Sequence, residues 1–148
     1  MILISHRGNT SGRDPNKENR PDYVKSALDK GYNVEVDVWM IDDKFFLGHD
    51  SPQYEIDTSF LEIQEVWSHA KNLDALIAML DIGVHCFWHE KDKVTLTSKG
   101  YIWAYPGMQK IRGSIAVMPE INNDDTSECL GICSDYISTY KNTYGILL

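Results

Sequence analysis

Two histidines and two carboxylates in the first third of the chain have the types and spacing for metal-assisted acid–base chemistry. His6 stands in His6-Arg7-Gly8 at the end of an apolar run, and Glu35 and Asp37 sit two apart in an alternating stretch. His49-Asp50 closes another apolar run, and Glu18-Asn19 lies in the loop between the first two motifs. Carboxylate oxygens suit a hard divalent cation. Proton transfer needs one group to accept a proton and another to return one.

Spacing of two on a strand points Glu35 and Asp37 the same way, while Val34, Val36 and Val38 fill the opposite face. Two adjacent carboxylates repel unless a cation joins them. The plain alternative is a solvated polar face, ordinary on an antiparallel sheet and awkward on a parallel strand covered on both sides. Alone, His6 could be a core histidine with a buried hydrogen bond, and His49 a loop residue capped by Asp50. Trp67, His69 and Lys71 form a further same-face triplet. Its lysine could neutralise phosphate oxygens or simply be solvated at a strand end. His85, His89 and Glu90 lie near the next strand, and Ser134-Asp135 ends the last one, where it would face the same mouth.

The elements that must position these groups follow from periodicity and breakers. Residues 2–4 are an apolar strand, residues 9–21 a polar loop with Gly and Pro, and residues 21–29 a helix stopped by Gly31. Residues 33–39 alternate strictly; Asp42-Asp43 turns the chain into a second short strand, residues 44–48. A short helix is expected at 60–65, a strand end at 66–71 and a clear helix at 73–80. The second half reads as strands at 84–88, 94–97, 101–104, 114–118 and 131–133, with short helical stretches near 124–130 and 135–140. Alternating strands and helices, with the chemistry at strand C-termini, predict a single α/β domain over residues 1–148: a compact, reduced TIM-type (β/α) barrel. Such barrels usually need about 200 residues or more, so several outer helices must be missing. An open α/β sheet is the structural alternative.

Composition narrows the partners. Apolar runs are too short to span a membrane, and residues 1–6 read as a strand rather than a signal peptide. A net charge of −8 argues against nucleic acid. It would also repel an anionic substrate, so a metal and local cations, Arg7 and Lys71 foremost, would have to overcome it. Cys86, Cys129 and Cys133 show no metal-site spacing and are expected as reduced thiols of a cytoplasmic protein. Four tryptophans and eight tyrosines, with outer helices shortened, make a homo-oligomer packed through exposed aromatics plausible.

In order and spacing, His6-Arg7-Gly8, Glu18-Asn19, Glu35-x-Asp37 and His49-Asp50 resemble the glycerophosphodiester phosphodiesterase family of phospholipase-C-like barrels. The resemblance covers residues 1–50; it is similar also to the sphingomyelinase D enzymes. It implies a divalent-metal phosphoric diester hydrolase acting on a small glycerophosphodiester-like molecule. His6 and His49 would be acid and base, Glu35 and Asp37 metal ligands, and Arg7 a phosphate contact. The family's next strand carries an acidic ligand two residues before a lysine; this chain has His69-Ala70-Lys71. Lys71 matches, as a second phosphate contact, and the acid does not. The resemblance alone implies magnesium or calcium, whereas His69 as ligand would suit manganese, zinc or iron better. Glu90 or Glu120 could instead supply an oxygen. Hydrolysis and cyclising transesterification stay open, as does a non-catalytic phosphate- or sugar-phosphate-binding barrel.

Overall fold

The computed structural model describes residues 1–108 and 110–144. Strands β1 (Ile2–His6), β2 (Asn33–Ile41), β3 (Lys44–Leu47), β4 (Tyr54–Ile56) and β5 (Val66–Ala70) carry the first half of the sheet. Strands β6 (Cys86–Phe87), β7 (Val94–Leu96), β8 (Ile102–Ala104), β9 (Ile115–Val117) and β10 (Gly131–Ser134) carry the second. Helices α1 (Pro21–Asp29), α2 (Thr58–Leu61), α3 (Leu73–Ile82) and α4 (Ile137–Tyr144), with a 3₁₀ turn at Pro119–Ile121, complete the described elements.

Seven strands run parallel in the order β6-β5-β2-β1-β10-β9-β8. The sheet curls so far that side chains from its two ends touch: the ring of Phe87 on β6 packs, tilted by 35°, against Trp103 of β8 at 4.7 Å between centroids. Between these ends there is no parallel ladder among the described residues. Ser98, just past β7, donates its N–H to the Cys86 carbonyl at 2.8 Å, and its Oγ accepts the Cys86 N–H at 2.9 Å. The fold is thus mixed α/β on a curled, mostly parallel sheet, and a complete eight-stranded (β/α) barrel is not formed.

Sequence explains the coverage. Pro21 opens α1 with its fixed φ, and Gly31 follows its end at φ 87°. Asn72 caps α3 by accepting the Ala75 N–H at 3.0 Å, and it also pairs with both backbone groups of Met40, tying the helix start to β2. Gly83 ends α3 in the left-handed conformation. These two helices and α2 cover Val34, Val36, Val38, Val66 and Cys86 on the outside of β2, β5 and β6. Helix α4 covers Leu3, Ala116 and Ile132 on β1, β9 and β10. Among the described residues no α-helix lies between β6 and β10. Residues 124–130 are turns rather than the expected helix, and β4 is a strand that the pattern did not announce.

The inner face is layered. Ile4, Trp67, Phe87, Trp103, Ile115 and Cys133 fill the middle of the curl. Above them, toward the strand C-termini, the lining turns polar. Among the described residues no helix is long and apolar enough to cross a membrane.

Candidate metal and acid–base site

Strand register builds the site. Pairing of β1 with β2 sets His6 beside Glu35, and pairing of β2 with β5 sets Asp37 beside His69. Since Val34, Val36 and Val38 are wholly buried outward, Glu35 and Asp37 must point inward, where they are 2% and 0% exposed. A cleft of about 400 Å³ opens there, lined by His6, Arg7, Glu35, His49, His69, Lys71, His89 and Glu90, with Trp103 and Tyr105 on its wall.

One ligand atom each from Glu35, Asp37 and His69 lie within 4.8 Å of one another. Their protonation geometry is informative. His69 Nε2 is 2.8 Å from the His89 carbonyl oxygen, which can only accept, so Nε2 carries a proton. Nδ1 of His69 therefore faces Asp37 Oδ1 at 3.3 Å and Glu35 Oε1 at 3.7 Å, either as a lone pair or as one end of an imidazolium. Asp37 Oδ1 and Glu35 Oε2 are buried without a hydrogen bond. A ring nitrogen grouped with one oxygen from each of two carboxylates, both of which carry an oxygen without a hydrogen bond, fits a divalent cation. A carbonyl that accepts from the far ring nitrogen and so fixes the tautomer is the usual companion of a ligating histidine.

Burial, and next the charge of Asp37, push the Glu35 pKa up. Burial also works against the Asp37 charge, but His69, Arg7 and Asn19 outweigh it and hold its pKa below the usual carboxylate range. One carboxylate is thus kept ionised and the other driven toward its proton, as a close pair must be without a cation between them.

The loop motifs hold these groups in place. Asn19, in left-handed backbone at φ 64°, donates its side-chain N–H to Asp37 Oδ2 at 2.9 Å and accepts the Asp37 N–H at 3.0 Å. Glu18 accepts from Arg7 at 3.3 Å, Asn9 at 3.1 Å and Arg13 at 3.2 Å. Arg7 is engaged on both sides, its Nε lying 2.9 Å from Asp37 Oδ2. A side chain on Gly8, at φ 93°, would meet the Tyr23 ring at 2.7 Å, so glycine is what lets this loop close down on α1.

His6 has a partner that local spacing did not assign to it. Its Nδ1–H donates to Asp135 Oδ1 at 2.8 Å, leaving Nε2 toward the cleft, 3.8 Å from Glu35 Oε2. Burial lowers the His6 pKa, but the Asp135 bond and the Glu35 charge prevail and the net shift is upward. Asn9 braces the same carboxylate, donating to Asp135 Oδ1 at 2.8 Å. Nothing in the local pattern marked Asn9; Asp135 was marked only by its place at a strand end.

His49 is at the rim, its side chain 42% exposed, with Nδ1 at 2.7 Å from Asp50 Oδ1. Gly48 positions it: at φ 154°, a Cβ there would collide with the Ser51 carbonyl, and the Gly48 carbonyl accepts the Trp39 indole N–H at 2.6 Å. Lys71 also lines the cleft, on the other edge of β2: its N–H bonds the Val38 carbonyl, whereas Gly48 bonds that of Asp37. Of the alternative third ligands, Glu90 lines the cleft but stands outside the cluster. Glu120 accepts hydroxyls from Ser134 at 2.7 Å and Tyr140 at 3.1 Å, away from it. His85 is at the opposite end of the curl, bonded to Thr97 Oγ1 at 2.8 Å and packed on Trp67. Compared with protein-family models, curated proteins and solved structures, the chain matches none.

Proposed function

We propose that the protein is a divalent-metal-dependent phosphodiesterase built on a reduced (β/α) barrel and acting on a small, glycerophosphodiester-like substrate. One observation carries the proposal: the Glu35, Asp37 and His69 ligand atoms converge in the same cleft as an Asp135-held His6, His49 and Lys71. A cation held by Glu35, Asp37 and His69 would supply Lewis-acid polarisation of a phosphate oxygen and offset charge in the transition state. With imidazole in the set, manganese or zinc suits better than the magnesium or calcium of an all-oxygen site.

The chain's own residues do the rest. Asp135 fixes His6 with its proton on Nδ1, so Nε2 is free to take or give a proton in the cleft. Asp50 holds His49 in the same way at the exposed rim. One imidazole removes the proton of the attacking hydroxyl, and the other returns one to the leaving alkoxide. Water or a neighbouring hydroxyl of the substrate serves equally as nucleophile in this arrangement. Lys71 offers an ammonium to the phosphate oxygens. Three cysteines that form no disulfide support a reducing, cytoplasmic setting.

A second reading is a non-catalytic phosphate-binding barrel, favoured by the engagement of Arg7 with Glu18 and Asp37 rather than an open guanidinium. The experiment is a screen of bis(p-nitrophenyl) phosphate and glycerophosphodiesters with chelator, then with Mn²⁺, Zn²⁺, Mg²⁺ or Ca²⁺. Metal-dependent turnover lost in Asp37→Asn supports the enzyme. Metal and phosphate binding without turnover would leave the binding barrel.

A further inference from the structure

The cleft has two unlike sides. The charged and ligand groups come from β1, β2, β5 and the turn after β3, whereas β8, β9 and the loops that follow them contribute Trp103, Tyr105, Pro106, Val117, Met118 and Ile121. Tyr105 is 47% and Ile121 66% exposed, so two large apolar side chains are wet where they line the cleft. This side is held in place. Glu120 is anchored by Ser134 at 2.7 Å and Tyr140 at 3.1 Å, which fixes the 3₁₀ turn that carries Ile121. That turn starts at Met118 in left-handed backbone, φ 46°, a conformation that costs a methionine energy and clusters at ligand sites. The Gly107 N–H, donated to Asp124 Oδ2 at 2.9 Å, ties down the loop after Tyr105.

A phosphodiester has two arms, and this side selects among arm chemistries. Polyol hydroxyls laid on it would go unpaired. A quaternary ammonium would be drawn to Glu90 at the mouth, but it needs ring faces around it. Here Pro106, Val117, Met118 and Ile121 are not aromatic, and Trp103 is only 4% exposed. Beneath the cleft Ile4, Trp67, Phe87, Trp103, Ile115 and Cys133 fill the curl, so a lipid chain has no channel to follow inward. A volume of about 400 Å³, shared with the phosphate, suits one ring system. The Tyr105 and His89 rings, 5.3 Å apart and tilted by 41°, offer such a ring offset or edge-on contacts.

Resting on the phosphodiesterase reading, we propose that one ester arm of the substrate is a planar aromatic group seated against Tyr105, Met118 and Ile121, with the phosphate on the Glu35, Asp37 and His69 side. The test compares kcat/KM, with Mn²⁺, on glyceryl phosphodiesters whose second alcohol is 2-phenylethanol, ethanol, n-octanol or choline. The phenylethyl ester should exceed the ethyl ester on the order of tenfold or more. Tyr105→Ala and Ile121→Ser, both at exposed positions and verified by thermal melts, should each bring that ratio toward one. Equal rates on the phenylethyl and ethyl esters, or a ratio unmoved in both variants, would overturn the proposal and leave the phosphodiesterase reading standing. So would a preference for the octyl or choline ester over the phenylethyl ester, which would assign a lipid-like or cationic arm. No turnover of any of these esters with metal would take down the phosphodiesterase reading, and this proposal with it.

Discussion

Glu35→Gln should have opposite consequences with and without metal. In the metal-free protein the two carboxylates offer oxygens within 4.8 Å of each other; unit charges that close repel by roughly 3–4 kcal/mol at an effective dielectric of about 20. Arg7, and His69 when protonated, offset part of that. Removing the Glu35 charge should therefore leave the metal-free melting temperature unchanged or higher, although Glu35 is buried. Because burial and then Asp37 raise the Glu35 pKa, the folded protein binds a proton there that the unfolded chain has lost. Stability from this group is present at low pH and is lost as pH rises beyond the ordinary glutamate range. The advantage of Glu35→Gln should thus grow with pH. With metal the sign reverses: saturation to about 100 times Kd stabilises the wild type by about 2.7 kcal/mol, or about 5–10 °C for a domain of this size. The variant should lose most of that shift. Thermal melts at pH 8 in chelator, then in Mn²⁺ or Zn²⁺, measure both limbs. A variant that melts several degrees lower in chelator, or keeps the full metal shift, refutes the reasoning.

The remaining expectations concern single groups. His6→Asn and His49→Asn should each lower turnover on the order of 10² or more with metal content unchanged, and the double variant should fall by less than the product of the two. Steady-state kinetics alongside metal analysis test this; near-normal turnover in His49→Asn would make it a rim residue only. Asp135→Asn should lower kcat while leaving metal binding intact, because His6 loses the anionic, acceptor-only group that fixes its Nδ1 proton. Lys71→Met should raise KM or lower kcat at nearly unchanged melting temperature; an early-melting variant with full activity would make the lysine structural. His85, whose pKa burial and then Lys99 lower to about 4, stays neutral when folded. Its contribution is complete above the unfolded value of 6.5 and is lost as pH falls toward 4. Acid melts of His85→Gln should be flatter over that window than those of the wild type.

What was legible in the sequence is what a period or a breaker encodes locally. Alternation over residues 33–39 separated the valines from Glu35 and Asp37: all five are buried, the valines in the core under the helices and the carboxylates at the cleft. Asp42 and Asp43 both adopt positive φ, 49° and 61°, the geometry of a tight hairpin turn. Residues 124–130 misled because helical spacing competed with side chains that prefer the backbone or a distant partner. Asp125 takes the Ser127 N–H at 2.9 Å, and the Thr126 hydroxyl meets that of Tyr144 at 3.2 Å. Strand β4 is too short to show a period and exists through its pairing with β3. The rest of the site depends on contacts between distant residues. Asp135 is 129 residues from His6, and the His89 carbonyl that fixes the His69 tautomer is a backbone group with no side-chain signature. Residue types named the candidates for metal and proton chemistry, but register and the hydrogen bonds from Asp135, Asp50 and the His89 carbonyl decide which nitrogen of each histidine is left to do it. For that reason Asp135→Asn tests the site's logic more sharply than removal of any ligand: it keeps every group that lines the cleft and changes only the partner that holds the His6 proton and its charge.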